Sequence, residues 1–170
     1  MKKYISMMAM ALMLSMSFTA CDVETDEKPG GTNIEKMCGY WDVIWYAVDA
    51  SGNILGEWTD GTIYTYNKAD NGTTQMWLDD QKTYWAFKFL VDINYDAKTF
   101  AASERDYDAA GSGQAVVTNG KILLGAAKNL HGAPTDSIAF EISFNYDDYP
   151  EKYGFDHYLV AGTKHSGFTE

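Results

Sequence analysis

An all-β fold, an antiparallel meander of about eight strands closed into a barrel, is what the sequence predicts, and three observations predict it. Residue alternation is the first. Trp85, Phe87, Phe89, Val91 and Ile93 are apolar at period two, opposite Tyr84, Ala86, Lys88, Leu90 and Asp92, and Ile138, Phe140, Ile142 and Phe144 repeat the pattern. A helix would scatter these residues around its circumference. The second is turn chemistry: Asn71-Gly72 and Asn119-Gly120 tolerate positive φ and predict tight hairpins joining 62–67 to 73–78 and 114–118 to 121–124. The third is the lack of any long helical pattern able to cover a sheet edge, so that closing the sheet on itself is the economical way to remove exposed edges. A β-sandwich is the alternative, without the Cys-Trp-Cys spacing of immunoglobulin domains.

Taken in order, the chain starts with Lys2 and Lys3, an apolar run from Ile5 to Phe18 and small residues before Cys21. That order is a secretory signal, predicted over residues 1–20, with a core shorter than the roughly 20 residues a membrane-spanning helix needs. Phe18-Thr19-Ala20-Cys21 resembles the lipobox of bacterial lipoproteins, which implies that Cys21 is acylated and anchors the chain in a bilayer. A disulfide between Cys21 and Cys38, the two cysteines of the chain, is the competing reading. Residues 21–35 then form a lipidated N-terminus and an acidic, Gly-rich tether, and 36–170 form one β domain, a size that a single core supports.

The domain opens with a strand over 39–48, ended by Ser51-Gly52-Asn53, and further strands are expected at 84–93, 99–106, 138–144 and 157–164. A short helix or turn is expected at 125–132 or at Asp147-Asp148-Tyr149-Pro150. A formal net charge of −11 sets the chain against phosphate backbones, so nucleic acid is not expected as a partner.

Catalytic and metal chemistry find little material. Gly111-Ser112-Gly113 is too short for a nucleophile elbow and reads as a turn. His157 and His165 would lie about 26 Å apart on one strand at ~3.3 Å per residue. His165 and Ser166 are adjacent and point apart. Asp92-Ile93-Asn94-Tyr95-Asp96 begins like a calcium loop but has Ala97 where glycine is required. Asp79-Asp80 and Asp147-Asp148 read as solvated loop carboxylates. No catalytic residue, metal or cofactor is expected.

Gly39-Tyr40-Trp41 in the opening strand resembles the Gly-x-Trp signature of lipocalins and other calycins. In that family the tryptophan closes one barrel end beneath a basic residue of the last strand, a role the resemblance gives to Trp41 and Lys164, with Gly39 beside them. With its lipobox, its opening Gly-Tyr-Trp-Asp-Val and its closing Tyr-Leu-Val-Ala-Gly-Thr-Lys, the chain also resembles lipoproteins of Bacteroidetes-type bacteria described as lipocalin-like and lipid-binding, a group that carries a hydrolase label as well. The resemblance implies a lipocalin- or calycin-like barrel, a lipid-like ligand and a monomer lipid-anchored to the outer membrane, facing the periplasm or displayed on the surface.

The aromatic residues are the remaining functional material. Trp45, Trp85, Phe87, Phe89, Phe140 and Phe144 are the candidates to line an apolar ligand inside the barrel, the same residues that a filled core would use. Tyr64, Tyr66 and Trp77 lie opposite more polar neighbours and are the candidates for the alternative, a surface module that stacks rings on a glycan.

Overall fold

Every strand of the domain is hydrogen-bonded to its neighbour in sequence and the last is bonded to the first, giving a closed antiparallel barrel of eight strands. They are β1 (Gly39–Val48), β2 (Ile54–Asn67), β3 (Gln75–Asp79), β4 (Lys88–Asn94), β5 (Thr99–Asp106), β6 (Gln114–Lys128), β7 (Pro134–Phe144) and β8 (His157–Lys164). A 3-10 turn over Glu35–Met37 precedes β1, and a short helix, α1 (Tyr149–Tyr153), precedes β8. This computed structural model describes residues 31–165 except 109 and 130. The signal segment, Cys21, the tether up to residue 30, and Ser166 lie outside the described residues.

Alternation builds the interior. In β1, Trp41, Val43, Trp45 and Ala47 are buried; in β7, Ile138, Phe140, Ile142 and Phe144; in β8, Tyr158 and Val160. One core cluster contains them all, together with Ile34 and Met37 of the N-terminal turn.

Closure rests on β8 lying flat against β1, in a register that runs from Trp41↔Lys164 to Val48↔His157. At Gly162 the backbones come so close that a Cβ would sit 1.9 Å from the Asp42 carbonyl oxygen. A glycine is therefore obligatory there.

Three local expectations are corrected. Asn119-Gly120 does not turn the chain: β6 runs straight through it, with a bulge in its pairing to β7 between Thr118 and Lys121. A tight turn and a bulge both use a residue with positive φ, here Asn119 at 53°, so the dipeptide marks either. The strand expected over 84–93 begins only at Lys88; Trp85 and Phe87 belong to the preceding loop, where Ala86 has φ 63°. Asn71-Gly72 sits within a longer connection, 68–74, where Asn71 keeps a positive φ of 51° and its Oδ1 accepts hydrogen bonds from Thr32 Oγ1 (3.0 Å) and Asn33 N (2.9 Å). Of the two places offered for a short helix, residues 149–153 carry it, while 125–128 remain strand.

Gly162→Ala forces a backbone clash that no side-chain rotation relieves. The expected result is a loss of about 3 kcal/mol of unfolding free energy or more, read from the urea midpoint of the β domain.

Candidate functional site

The two barrel ends differ in chemistry. At the end where β1 starts and β2 and β8 finish, the Trp41 indole N–H donates to Thr65 Oγ1 (2.8 Å), which donates to the Met37 carbonyl (2.6 Å). Lys164 Nζ lies 5.7 Å from the Trp41 ring centroid and 3.7 Å from Asp136. A Cβ on Gly39 would stand 3.0 Å from both Lys164 Cε and the Trp41 ring, so the absent side chain is what lets lysine and indole meet. Trp41 and Thr65 are buried and every polar atom in this row has a partner.

The opposite end is aromatic. Trp45, wholly buried, meets Tyr84 edge-on at 4.9 Å, Tyr158 at 5.6 Å and Phe87 at 6.3 Å. Trp85, half-buried, stacks on Phe144 at 4.4 Å with the planes 18° apart. Nearer the rim, Trp58 packs against Tyr153 and Phe155 at 5.2 Å each and Tyr149 at 5.5 Å. A one-way chain of hydrogen bonds runs through these rings: Trp58 Nε1 donates to the Tyr84 hydroxyl (2.7 Å), Tyr84 to the Tyr158 hydroxyl (3.2 Å), and Tyr158 to the Asp147 carboxylate (2.8 Å). Burial, then the bonds to Tyr84 and Asp147, push the Tyr158 phenol far above its usual range, and burial also raises Tyr84.

Helix α1 covers this end lightly. None of its five residues is buried. Pro150 starts it and Gly154, in the left-handed region at φ 76°, stops it. Tyr149 and Tyr153 remain 40% and 55% exposed although their rings touch Trp58, and Tyr146 just before them is 81% exposed. Beside β1, the start of β2 adds Ile54 and Leu55, 55% and 54% exposed.

What fixes the aromatic wall is Asp80, which is wholly buried rather than solvated as the sequence implied. Its carboxylate accepts four backbone N–H groups, from Lys82 (3.0 Å), Tyr84 (3.3 Å), Trp85 (2.7 Å) and Ala86 (2.8 Å). A carboxylate without a nearby cation tolerates burial when donors surround it. Here they come from a loop with Gln81, Lys82 and Ala86 all at positive φ, a conformation that aims Tyr84, Trp85 and Phe87 at the barrel end. Asp79 is buried too, accepting from Tyr66 (2.9 Å) and Gln81 N (2.8 Å).

The outer wall carries a second set of rings. Tyr40 stacks on Tyr64 at 4.6 Å and on His165 at 4.5 Å, and Tyr66 stacks on Trp77 at 6.5 Å with Lys88 Nζ 5.4 and 5.2 Å from the two centroids. All four aromatic residues are half-buried. Farther round, an outward cleft of about 770 Å³ lies over β4, β5 and β6 and is lined by Asp92, Asn94, Thr99, Asn119, Lys121 and Glu141 among others.

The residues singled out in the sequence therefore fall in four places. Gly39, Trp41 and Lys164 meet at the sealed end. Trp45, Trp85, Phe87 and Phe144 join at the aromatic end, with Phe89 behind Phe87 at 5.2 Å. Phe140 is separate, its ring beside Phe100 at 5.6 Å. Tyr64, Tyr66 and Trp77 face outward. His157 and His165 stand at opposite ends of β8, tied to Asp156 (2.9 Å) and Asp42 (2.8 Å). Trp58, Tyr84, Tyr158, Asp147 and Asp80 went unnoticed as a group. Parity held a signal for Asp80, which continues the inward row Met76, Leu78, and for Tyr158, two residues before Val160; nothing in the sequence marked Trp58, whose strand is irregular between Thr59 and Glu57.

A family model described as lipid-binding putative hydrolase matches residues 26–169. The chain belongs to that family. Among curated proteins none matches. In this member of the lipid-binding putative hydrolase family, the end built from Trp45, Trp58, Tyr84, Trp85 and Tyr158 is the candidate functional site.

Tyr158→Phe would remove the donor to Asp147 and the acceptor for Tyr84, for an expected loss of about 2 kcal/mol at neutral pH. The phenol's raised pKa also sets a pH dependence. Below pH ~10 folded and unfolded chains both hold the proton; above it the unfolded chain ionises first, and Tyr158 alone subtracts about 1.4 kcal/mol per pH unit. Urea denaturation between pH 8 and 11 checks both: wild-type stability should fall on the alkaline side, and less steeply in the variant.

Proposed function

We propose that this protein is a non-enzymatic binding protein for an amphipathic, lipid-like molecule, tethered to the bacterial envelope through Cys21, with the ligand seated at the aromatic end of the barrel beneath α1. The observation that carries this reading is the asymmetry of the ends. One is sealed by Trp41, Thr65 and Met37 with its polar atoms paired, while the other is faced with rings and covered by a five-residue helix that buries none of its side chains. Membership in a family described as lipid-binding supports it.

Magnitudes favour access at that end. An acyl chain of about ten methylenes contributes about 8 kcal/mol on leaving water. Lifting a helix with no buried residue costs little against that, whereas displacing core side chains such as Phe140 or Val160 costs about 2–5 kcal/mol each by the scale of core truncations. His157 is held by Asp156 through Nδ1 with Nε2 buried, and His165 is held by Asp42 and stacked on Tyr40.

The outer wall favours a second reading, glycan capture, because Tyr40, Tyr64, Tyr66 and Trp77 offer two stacked ring pairs with Lys88 within reach for hydroxyl groups. One titration separates the two. The mature chain should bind N-phenyl-1-naphthylamine saturably, with fluorescence lost on adding a competing lipid, and Trp58→Ala should weaken it about tenfold. Absence of uptake combined with oligosaccharide binding that Trp77→Ala abolishes would replace the first reading by the second.

Anchoring is tested apart from binding. Cys21→Ala should move the protein from the membrane fraction to the soluble fraction of the envelope, and membrane retention in that variant would refute acylation.

A further inference from the structure

The chain enters the barrel at its sealed end, and that end carries a projection. Thr32 Oγ1 and Asn33 N donate to the Asn71 side chain in the β2–β3 connection, and Asn33 Nδ2 donates to the Asn71 carbonyl (2.8 Å). At the same end β6 outruns its neighbour. Its last partner on β5 is Thr99, opposite Lys121, whereas its pairing with β7 continues to Lys128↔Pro134. Past Ile122, whose N–H donates to the Lys98 carbonyl (2.9 Å), β6 and β7 stand as a two-stranded ribbon.

That ribbon is apolar and uncovered. Every residue from Leu123 to Ala126 is exposed, and Leu123 and Leu124, adjacent and so on opposite faces, are 49% and 46% exposed. No charge occurs between Lys121 and Lys128. Strand edges in water are ordinarily guarded by charge, whereas an uncharged ribbon framed by two lysines suits an apolar layer beneath polar head groups. Edge-to-edge pairing with a second copy needs a flat ladder, and this one is broken by the register shift between Leu123 and Ala127 and by Gly125 at φ 62°.

Tether length selects which end meets the membrane. Gly31 stands ten residues after Cys21, and a chain of that length spans about 17 Å as a coil and about 35 Å at full extension. The sealed end is within coil reach of the anchor. Bringing the aromatic end to the same surface would add the height of the barrel, about 25 Å for a ten-residue strand tilted by ~40°.

Charge agrees with that choice. At the aromatic end the connection between β7 and β8 holds Asp147, Asp148, Glu151 and Asp156 against Lys152. At the sealed end each carboxylate of the connecting segments has a lysine close in sequence: Glu35 with Lys36, Asp70 with Lys68, Asp96 with Lys98. An anionic head-group surface repels the first end and tolerates the second. Ile54, Leu55 and the tyrosines of α1 are exposed too, but they belong to the end whose approach is opposed.

We infer that the β6–β7 ribbon at the sealed end seats in the phospholipid surface that holds Cys21, so that the aromatic end faces away from the bilayer. This rests on the acylation of Cys21 proposed above and adds a second point of contact. The ligand end then opens to the aqueous side of the envelope.

The test uses the acylated mature chain in vesicles of phosphatidylethanolamine and phosphatidylglycerol that contain a lipid with a nitroxide on its head group. A nitrobenzoxadiazole label is attached at Ala126→Cys on the ribbon or at Tyr146→Cys at the aromatic end, each with Cys38→Ser so that one thiol reacts. The nitroxide should lower emission from position 126 at least about twofold and leave position 146 within about a tenth of its unquenched value. Leu123→Glu combined with Leu124→Glu should return position 126 to the level of 146. Equal quenching at both positions, stronger quenching at 146, or none at 126 in a chain that floats with the vesicles overturns the inference while leaving acylation standing. Quenching at 126 that persists in the double variant also overturns it, and so does self-quenching between labelled copies at 126, which would assign the ribbon to a second copy. A chain that does not float refutes acylation and the inference with it. If the double variant fails to fold by circular dichroism, the comparison of 126 with 146 alone decides.

Discussion

The barrel exists because β8 can lie directly on β1, and that depends on Gly162. With the Asp42 carbonyl 1.9 Å from where a Cβ would stand, any side chain would push the two strands apart within their ladder, toward its Trp41 end. Eight strands in sequence order would then be an open meander with two raw edges, each offering unpaired N–H and C=O groups to another chain. Closure removes both edges, and it also fixes which residues share the interior. Trp41 is brought beside Lys164, and Trp45 beside Val160, only through this register.

The ends of a closed barrel need their own solutions, and the chain uses two different ones. At one, the 3-10 turn before β1 is folded inward so that Ile34 and Met37 join the core, and Thr65 relays the Trp41 N–H to a backbone carbonyl. At the other, the wall is a loop whose unusual backbone is held by a single carboxylate. Asp80 converts four backbone donors, in a segment with three non-glycine residues at positive φ, into a rigid ledge carrying Tyr84, Trp85 and Phe87. The ring chain from Trp58 to Asp147 then links that ledge to β2, β8 and the approach to α1.

Much of this was legible in the sequence. The opening strand is legible with its bounds, because the apolar alternation from Trp41 to Ala47 is clean and the turn residues Ser51-Gly52-Asn53 follow Val48. So was the closed all-β meander, since periodicity two and turn dipeptides are local signals and closure follows from edge exposure. Legibility ended where local signals are degenerate. Asn119-Gly120 serves a bulge as well as a turn, and the continuous alternation through Trp85 and Phe87 concealed a loop, because the loop presents its rings to the same interior that a strand would. Asp79-Asp80 misled for a further reason. Two adjacent carboxylates suggest solvent, and the donors that bury Asp80 are backbone groups, which every sequence has and none displays.

The ligand question turns on how the aromatic end is divided between paired and unpaired polar groups. Trp58, Tyr84 and Tyr158 form a chain in which each donor has an acceptor, so disturbing it leaves a buried group unsatisfied at about 1–3 kcal/mol apiece. Trp45 Nε1 and His157 Nε2 stand outside that chain, both buried without a partner among the described residues. Apolar burial at that end is therefore favourable only where it leaves the chain from Trp58 to Asp147 intact.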